Sequence, residues 1–312
     1  MIAFFKLIRW PNILMIWVAM CLALFGVINP VLSLQPFEAG LNMTEFLLLV
    51  GATTFIAVAG YLLNDVSDMN PDSVNKPGKN QVGRRFAVHV VQIAYWLFTV
   101  LGVVAGTYFS YLLGRLSYSL IFVLSAGLLW FYSNRYQCQL LVGNLVVAFL
   151  SALTIVIVWL FSFFALADRP DVFVSVQSFF TRANLLILIF SGFAFIASLI
   201  REMVKDMQDF KGDDRFGCRT LAVVSGIDKA KRWAIAVTVV AILFALWSQW
   251  RFYSINFRLL FYYFILIDVL FLGVLYLLFK AKSAGDFKKI SGLIKGLMIA
   301  GILAMALVYF EF

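Results

Sequence analysis

Two groups of three aspartates share one spacing. Asp65, Asp68 and Asp72 lie in Asn64-Asp65-Val66-Ser67-Asp68-Met69-Asn70-Pro71-Asp72, and Asp206, Asp209 and Asp213 lie in Lys205-Asp206-Met207-Gln208-Asp209-Phe210-Lys211-Gly212-Asp213. Both read D-x-x-D-x-x-x-D. On a helix, positions i, i+3 and i+7 fall within roughly 60° of one another, so each triple makes one carboxylate stripe. Both stripes sit where apolar runs end, and carboxylates beside a bilayer are costly and usually functional. Two such stripes can hold a hard divalent cation against a phosphate-rich ligand, because Mg²⁺ prefers carboxylate and phosphate oxygens. The expected metal ligands are Asp65, Asp68, Asp206 and Asp209, with Asn64, Asp72 and Asp213 completing the shells. Asp214 lies about 80° off the second stripe and reads as solvated. Pro71 is expected to break the first helix just ahead of Asp72.

The elements that position these acids are membrane spans. Of 312 residues, 63% are hydrophobic and 13% are charged, against about 25% charged in a soluble domain. Runs long enough to span a bilayer fall near 11–28, 44–63, 86–109, 116–132, 141–166, 183–203, 233–250, 257–279 and 290–310. The fold class is therefore all-α, a polytopic membrane protein of nine helices with two Asp-rich cytoplasmic loops, 64–85 and 204–232, in a single domain over 1–312. Gly51, Gly60, Gly102, Gly106, Gly192 and Gly273 are placed to let helices approach closely. Phe4-Phe5-Lys6-Leu7-Ile8-Arg9-Trp10 reads as a short interfacial lead-in, with no cleavable signal pattern.

The net charge of +9 would suit a nucleic acid, but its distribution argues otherwise. With the N-terminus in the cytoplasm, nineteen Lys and Arg fall on the cytoplasmic side and five on the other, the positive-inside asymmetry. Both aspartate triples fall on the positive side. The charge therefore reflects topology and an anionic ligand, with no nucleic acid implied. Cys21, Cys138 and Cys218 have neither C-x-x-C nor Cys/His spacing, and the one histidine, His89, heads an apolar span as a packing or interfacial residue. Neither a zinc site nor a Cys/His nucleophile pair is expected. Asp268 and Lys295 sit inside late spans, either paired or facing a cavity.

These residues resemble the UbiA superfamily of intramembrane prenyltransferases. Asn64-Asp65-x-x-Asp68-x-x-x-Asp72 followed by Asn75-Lys76-Pro77 is similar to the family's first signature. Lys205-Asp206-x-x-Asp209-x-x-Gly212-Asp213 followed by Arg219-Thr220-Leu221 is similar to the second. Arg9-Trp10-Pro11-Asn12 resembles the element before the first span, and Tyr132-Ser133 with Gly143-Asn144 the segment joining the fourth and fifth. Three departures stand out. Lys79-Asn80-Gln81-Val82-Gly83-Arg84-Arg85 replaces the usual Arg-Pro-x-Pro-Ser-Gly, Gln137 replaces a common Lys, and Glu202 replaces a Tyr. The last makes the second motif more similar to the archaeal-type branch that joins a second geranylgeranyl chain to geranylgeranylglyceryl phosphate.

The resemblance implies ionisation of a polyprenyl diphosphate donor with Mg²⁺ as cofactor, and transfer to a hydrophobic acceptor. That acceptor would be a glycerophosphate-type lipid or, alternatively, an aromatic ring of quinone or pigment synthesis. Lys76, Lys79, Arg84, Arg85, Lys205, Lys211, Arg215 and Arg219 would complete neutralisation of the diphosphate, since Arg offers bidentate phosphate contacts and Lys a point charge. Asn12 and Asn144 would bind substrate. Glu202 lies within about 40° of the second stripe and would either take or bind the acceptor hydroxyl proton, or pair with Lys205 or another basic residue. From another class, an ion transporter could use the acids as a selectivity site. Transporters, however, commonly place such sites at mid-membrane on broken helices. The chain is expected in a bacterial or archaeal-type plasma membrane, with its site facing the cytoplasm.

Overall fold

A chain this apolar has little choice but helix, because backbone polar groups in lipid must be satisfied within the segment itself. The computed structural model describes residues 2–34, 40–78 and 80–312. Among these are nine helices long and apolar enough to cross a membrane: Trp10–Leu32, Met43–Ser67, Val88–Leu112, Leu116–Tyr136, Val142–Ala167, Pro170–Arg215, Ile227–Ser254, Arg258–Lys280 and Ala284–Glu311. They are called the first to ninth spans, and each overlaps one of the nine expected runs. The second packs on the third, the fifth on the sixth, the sixth on the seventh and ninth, and the eighth on both seventh and ninth. The sixth is the most buried and the fourth the least.

Lipid offers no hydrophobic drive for helices to meet, so contact depends on small residues and close packing. A Cβ at Gly102 would stand 2.7 Å from Ile56 Cγ1 and 3.2 Å from the Ala52 carbonyl oxygen. Gly102 therefore permits the tight seam between the second and third spans. Gly51 and Gly273 do not mark such seams: nothing lies within 4 Å of a Cβ at the first, and only a Leu293 methyl, at 3.8 Å, approaches the second. Before the first span, the helix Ile2–Leu7 buries Leu7 and exposes Phe4, Phe5 and Lys6, the pattern of an interfacial lead-in.

The two acidic segments are helical rather than looped. The sixth span runs without interruption as the helix Phe180–Arg215, so the second motif rides on a rigid extension of a transmembrane helix. The second-span helix ends at Ser67, and a new helix, Met69–Asn75, begins beyond Asp68. The break thus falls earlier than expected from Pro71. Proline lacks an N–H and its ring crowds the carbonyl four residues back, here that of Ser67. Pro71 is instead accommodated in the first turn of the new helix, where a missing N–H is tolerated.

The polar connections are expected to face the cytoplasm. Single cysteines at Ser73 and Lys288, both exposed, should react with an impermeant maleimide only from the cytoplasmic side, and cysteines at Arg115 and Phe310 only from the other. Labelling of Lys288→Cys and Phe310→Cys from one side would require a different number of crossings.

Candidate active site

Side chains from the lead-in and from the first, second, fourth, fifth, sixth and ninth spans enclose a cavity of about 760 Å³. Its depth is apolar, walled by residues such as Ile155, Ile157, Phe190, Phe193 and Met305, and its mouth carries the aspartates.

On the first motif, Tyr61, Asn64, Asp68, Pro71, Asp72 and Asn75 line the cavity, a run spaced by three and four residues as a helical face requires. Asp65 falls on the edge of that face and is absent from the wall. Its Oδ1 instead accepts from Arg9 Nη2 at 2.6 Å. Arg9 has φ of 53°, a left-handed conformation that a non-glycine residue seldom adopts without surrounding support. That support is the Asp65 ion pair and the Tyr61 ring, 5.1 Å from the guanidinium carbon. Asp68 accepts from Asn64 Nδ2 at 2.6 Å and also from Gln137 Nε2. Burial, followed by the charge of Asp72, pushes the Asp68 carboxyl up to about 6. Gln137 reaches it because the fourth span ends in a π-helical turn, Tyr132–Tyr136, a distortion common at functional sites.

On the second motif, Asp206, Asp209 and Asp213 all line the cavity. Asn144 Nδ2 donates to Asp206 Oδ2 at 2.8 Å. Lys76 joins the two motifs, its Nζ lying 2.6 Å from Asp209 Oδ2 and 3.2 Å from Asp72 Oδ1. Burial works against the ammonium, but Asp209 and Asp72 overcome it and hold Lys76 above the ordinary lysine pKa. Backbone packing reinforces the join, since Gly212 N–H donates to Asn75 Oδ1 at 2.7 Å. A Cβ on Gly212 would stand 2.6 Å from the Pro71 carbonyl oxygen, so only glycine allows this approach. Asp214 is exposed, as its angular position implies.

Glu202 is buried on the cavity wall. It accepts from Arg201 Nη1 at 2.9 Å and from Lys205 Nζ at 3.1 Å through Oε1, and again from Lys205 at 2.9 Å through Oε2. Of the two readings of Glu202, pairing is the one realised in this geometry. Lys295 does not pair with Asp268. Its Nζ donates to Asn12 Oδ1 at 3.2 Å on the cavity wall, while Asp268 accepts from Gln249.

Of the cations expected at the diphosphate, Lys76 and Lys205 line the cavity. Arg84, Arg85, Lys211, Arg215 and Arg219 are exposed and off the wall. Arg84 donates to the Gly78 carbonyl, and Lys211 sits about 200° from Asp209 round the helix, on its far side. Lys79 lies outside the described residues. Sequence spacing also missed the Cys138–Cys218 disulfide, which ties the fourth–fifth connection to the segment after the sixth span. No local pattern reveals a pair 80 residues apart. Arg219 N–H donates to the Cys138 carbonyl at 2.9 Å, joining the same two segments independently.

Among the described residues, no three acidic, histidine or cysteine side chains converge into a ready-made cation cage. The donor set nevertheless fits Mg²⁺, which uses one or two carboxylates together with phosphate oxygens and water. Six aspartates here have only Arg9 and Lys76 as ion-pair partners among the described residues. Such a surplus of hard anionic oxygens calls for cations.

Residues 12–293 match the UbiA prenyltransferase family, and the chain belongs to that family. This removes the ion-transporter alternative. The digeranylgeranylglyceryl phosphate synthase of Sulfurisphaera tokodaii is 28% identical over 277 residues, 88% of this chain and 86% of that one. The synthase of Methanococcus maripaludis is 27% identical over 297 residues, covering 94% and 92%. A solved structure described as giving insight into digeranylgeranylglyceryl phosphate synthase in membranes superposes with a TM-score of 0.65 at 19% identity, covering 99% and 98%. A UbiA homologue from Archaeoglobus fulgidus bound to GPP and Mg²⁺ superposes with a TM-score of 0.57 at 11% identity, covering 97% and 99%. The likeness to both solved structures extends the shared fold over nearly the whole chain.

The geometry separates carboxylates that face the cavity from Asp214, which points away. Asp68→Ala, Asp206→Ala and Asp209→Ala are each expected to lower kcat/KM by about a hundredfold or more, some 3 kcal/mol of transition-state stabilisation. Asp214→Ala should stay within about threefold of wild type. Steady-state kinetics in which Asp214→Ala and Asp209→Ala fell equally would refute the stripe assignment.

Proposed function

We propose that the cavity transfers a geranylgeranyl-type chain from its diphosphate to the free hydroxyl of geranylgeranylglyceryl phosphate, on the cytoplasmic side of the membrane. The observation that carries this reading is the pair of aspartate stripes facing one another over an apolar cavity, with Lys76 between them. The names of the curated relatives support the choice of acceptor. The nineteen-to-five charge asymmetry supports the cytoplasmic orientation.

In the reaction, the acceptor oxygen bonds to C1 of the prenyl chain as the bond from C1 to the diphosphate oxygen breaks. The electron pair stays on the diphosphate, and the hydroxyl proton leaves to a base or to the released diphosphate. Asn64, Asp68 and Asp72 on one side, and Asp206, Asp209 and Asp213 on the other, are the residues that would hold Mg²⁺. When bound, Mg²⁺ supplies Lewis-acid neutralisation of the charge that builds on the leaving group, worth several kcal/mol. Asp65 contributes through Arg9, which it orients beside Tyr61. Lys76 moves from its carboxylates toward phosphate oxygens as a point charge. Gln137 and Asn144 hold Asp68 and Asp206 in position. The apolar depth receives the prenyl chain and keeps water from the allylic cation.

Radiolabelled prenyl transfer should occur to geranylgeranylglyceryl phosphate and not to 4-hydroxybenzoate or a dihydroxynaphthoate. Prenylation of either ring, with no product from the glycerophosphate, would favour the aromatic alternative. Excess chelator should abolish turnover, and Mg²⁺ should restore it. A carboxylate must lose its proton to bind a metal, and burial and Asp72 push the Asp68 carboxyl up to about 6. The Mg²⁺ concentration for half-maximal rate should therefore rise as the pH falls through that value. Glu202→Gln, which weakens the hold on Arg201 and Lys205, should reduce transfer while leaving donor affinity within about threefold. An equal loss of donor affinity would contradict the separation of the two substrates.

A further inference from the structure

Charge is divided unevenly along the cavity wall. At the mouth, the aspartates outnumber their cations. Deeper in, the imbalance reverses, because three cations, Arg201, Lys205 and Lys295, line the wall with one carboxylate, Glu202, which pairs with the first two. Arg201 lies five residues before Asp206 on a continuous helix, which places it about 7 Å further toward the bilayer centre. Lys295 joins the same cavity wall from the ninth span. Among the described residues, Lys295 has no carboxylate within ion-pair distance, and its hydrogen bond goes to the neutral Asn12. Arg201 Nε is buried and has no hydrogen-bond partner. A buried guanidinium donor without an acceptor is costly, as are three cations on one apolar cavity wall with a single carboxylate among them. An anion in the cavity offsets the surplus positive charge.

We infer that Arg201 and Lys295 form a second anion site, separate from the diphosphate site, that takes the phosphomonoester of the acceptor lipid. The inference rests on the proposed acceptor, and it assigns that acceptor's head group to named residues. Glu202 becomes a positioning residue: it fixes Arg201 Nη1 and Lys205, and so sets the guanidinium that meets the phosphate. The two uncompensated positive charges match a phosphomonoester dianion. A diphosphate bound at the mouth does not need them. Anchoring the phosphate beside Glu202, roughly one to two helical turns from the aspartates, keeps the two polyanions apart. It also leaves the glycerol hydroxyl on the side of the donor. An aromatic acceptor without a phosphate gains nothing from such a pair.

The test compares wild type with Lys295→Met and Lys295→Arg, using the full chain in detergent. In excess chelator and without donor, direct binding of geranylgeranylglyceryl phosphate should weaken about tenfold in Lys295→Met, the loss expected for one charge-assisted hydrogen bond. Lys295→Arg should restore it. In turnover, KM for this acceptor should rise by a similar factor while donor KM and kcat stay within about threefold. The dephosphorylated alcohol, geranylgeranylglycerol, should bind wild type and Lys295→Met alike. Unchanged acceptor binding in Lys295→Met, or an equal loss of donor affinity, would overturn the site. Equal affinity for phosphatidic acid would reassign it to bilayer lipid and overturn the acceptor assignment. Should wild type fail to prenylate the glycerophosphate but still bind it through Lys295, the proposed reaction falls and the anion site stands.

Discussion

Five carboxylates at the mouth of one apolar cavity, with Asp65 beside them, repel one another, and much of the surrounding structure serves to offset that repulsion. Lys76 takes the gap between Asp72 and Asp209, Arg9 draws Asp65 aside, and the amides of Gln137 and Asn144 cover Asp68 and Asp206. These partners come from the lead-in, the end of the first motif, the turn after the fourth span and the start of the fifth. The same contacts hold those segments to the mouth. What neutralises the acids therefore also closes the bundle. A ligand that brings its own cations can displace Lys76 and the amides without leaving a charge unpaired, which is how a resting site can exchange one set of partners for another.

The architecture was largely legible in the sequence because lipid removes most alternatives. A run of about 20 apolar residues in a bilayer can only be a helix or part of a closed barrel, so all nine spans could be located from hydropathy alone. Helical angle does not depend on tertiary contacts, and five of the six stripe aspartates face the cavity; Asp65, expected as a metal ligand, is turned to Arg9 instead. Asp214 points away as its position dictates. Other features follow from chain segments far apart in sequence. The break at Asp68 depends on how Pro71 is absorbed. The Lys76–Asp209 bridge, the Cys138–Cys218 pair and the Lys295–Asn12 contact each join distant positions that no local pattern links. Arg84, Lys211 and Arg219 stand off the cavity wall for a related reason. Proximity in sequence to an acidic motif says nothing about the side of the helix or turn on which a long side chain emerges, and all three are exposed.

The order of polarity along the sixth span also bears on chemistry. Going inward from the mouth it presents Asp213, Asp209 and Asp206, then the Lys205–Glu202–Arg201 group, then Ser198, Ala194, Phe193 and Phe190 on the cavity wall. A cation formed at the boundary between the first two zones has its leaving group on the acid side, and on the other the Lys205–Glu202–Arg201 group with the apolar wall beyond it. Water would be the most abundant competing nucleophile for such a cation, and an enclosed apolar depth keeps it scarce. The nucleophile that reaches the boundary must then be one the protein holds there. A rigid helix carrying all three zones fixes their spacing along one axis at about 1.5 Å per residue. Donor and acceptor are thus positioned relative to one another by a single element rather than by loops that could drift apart.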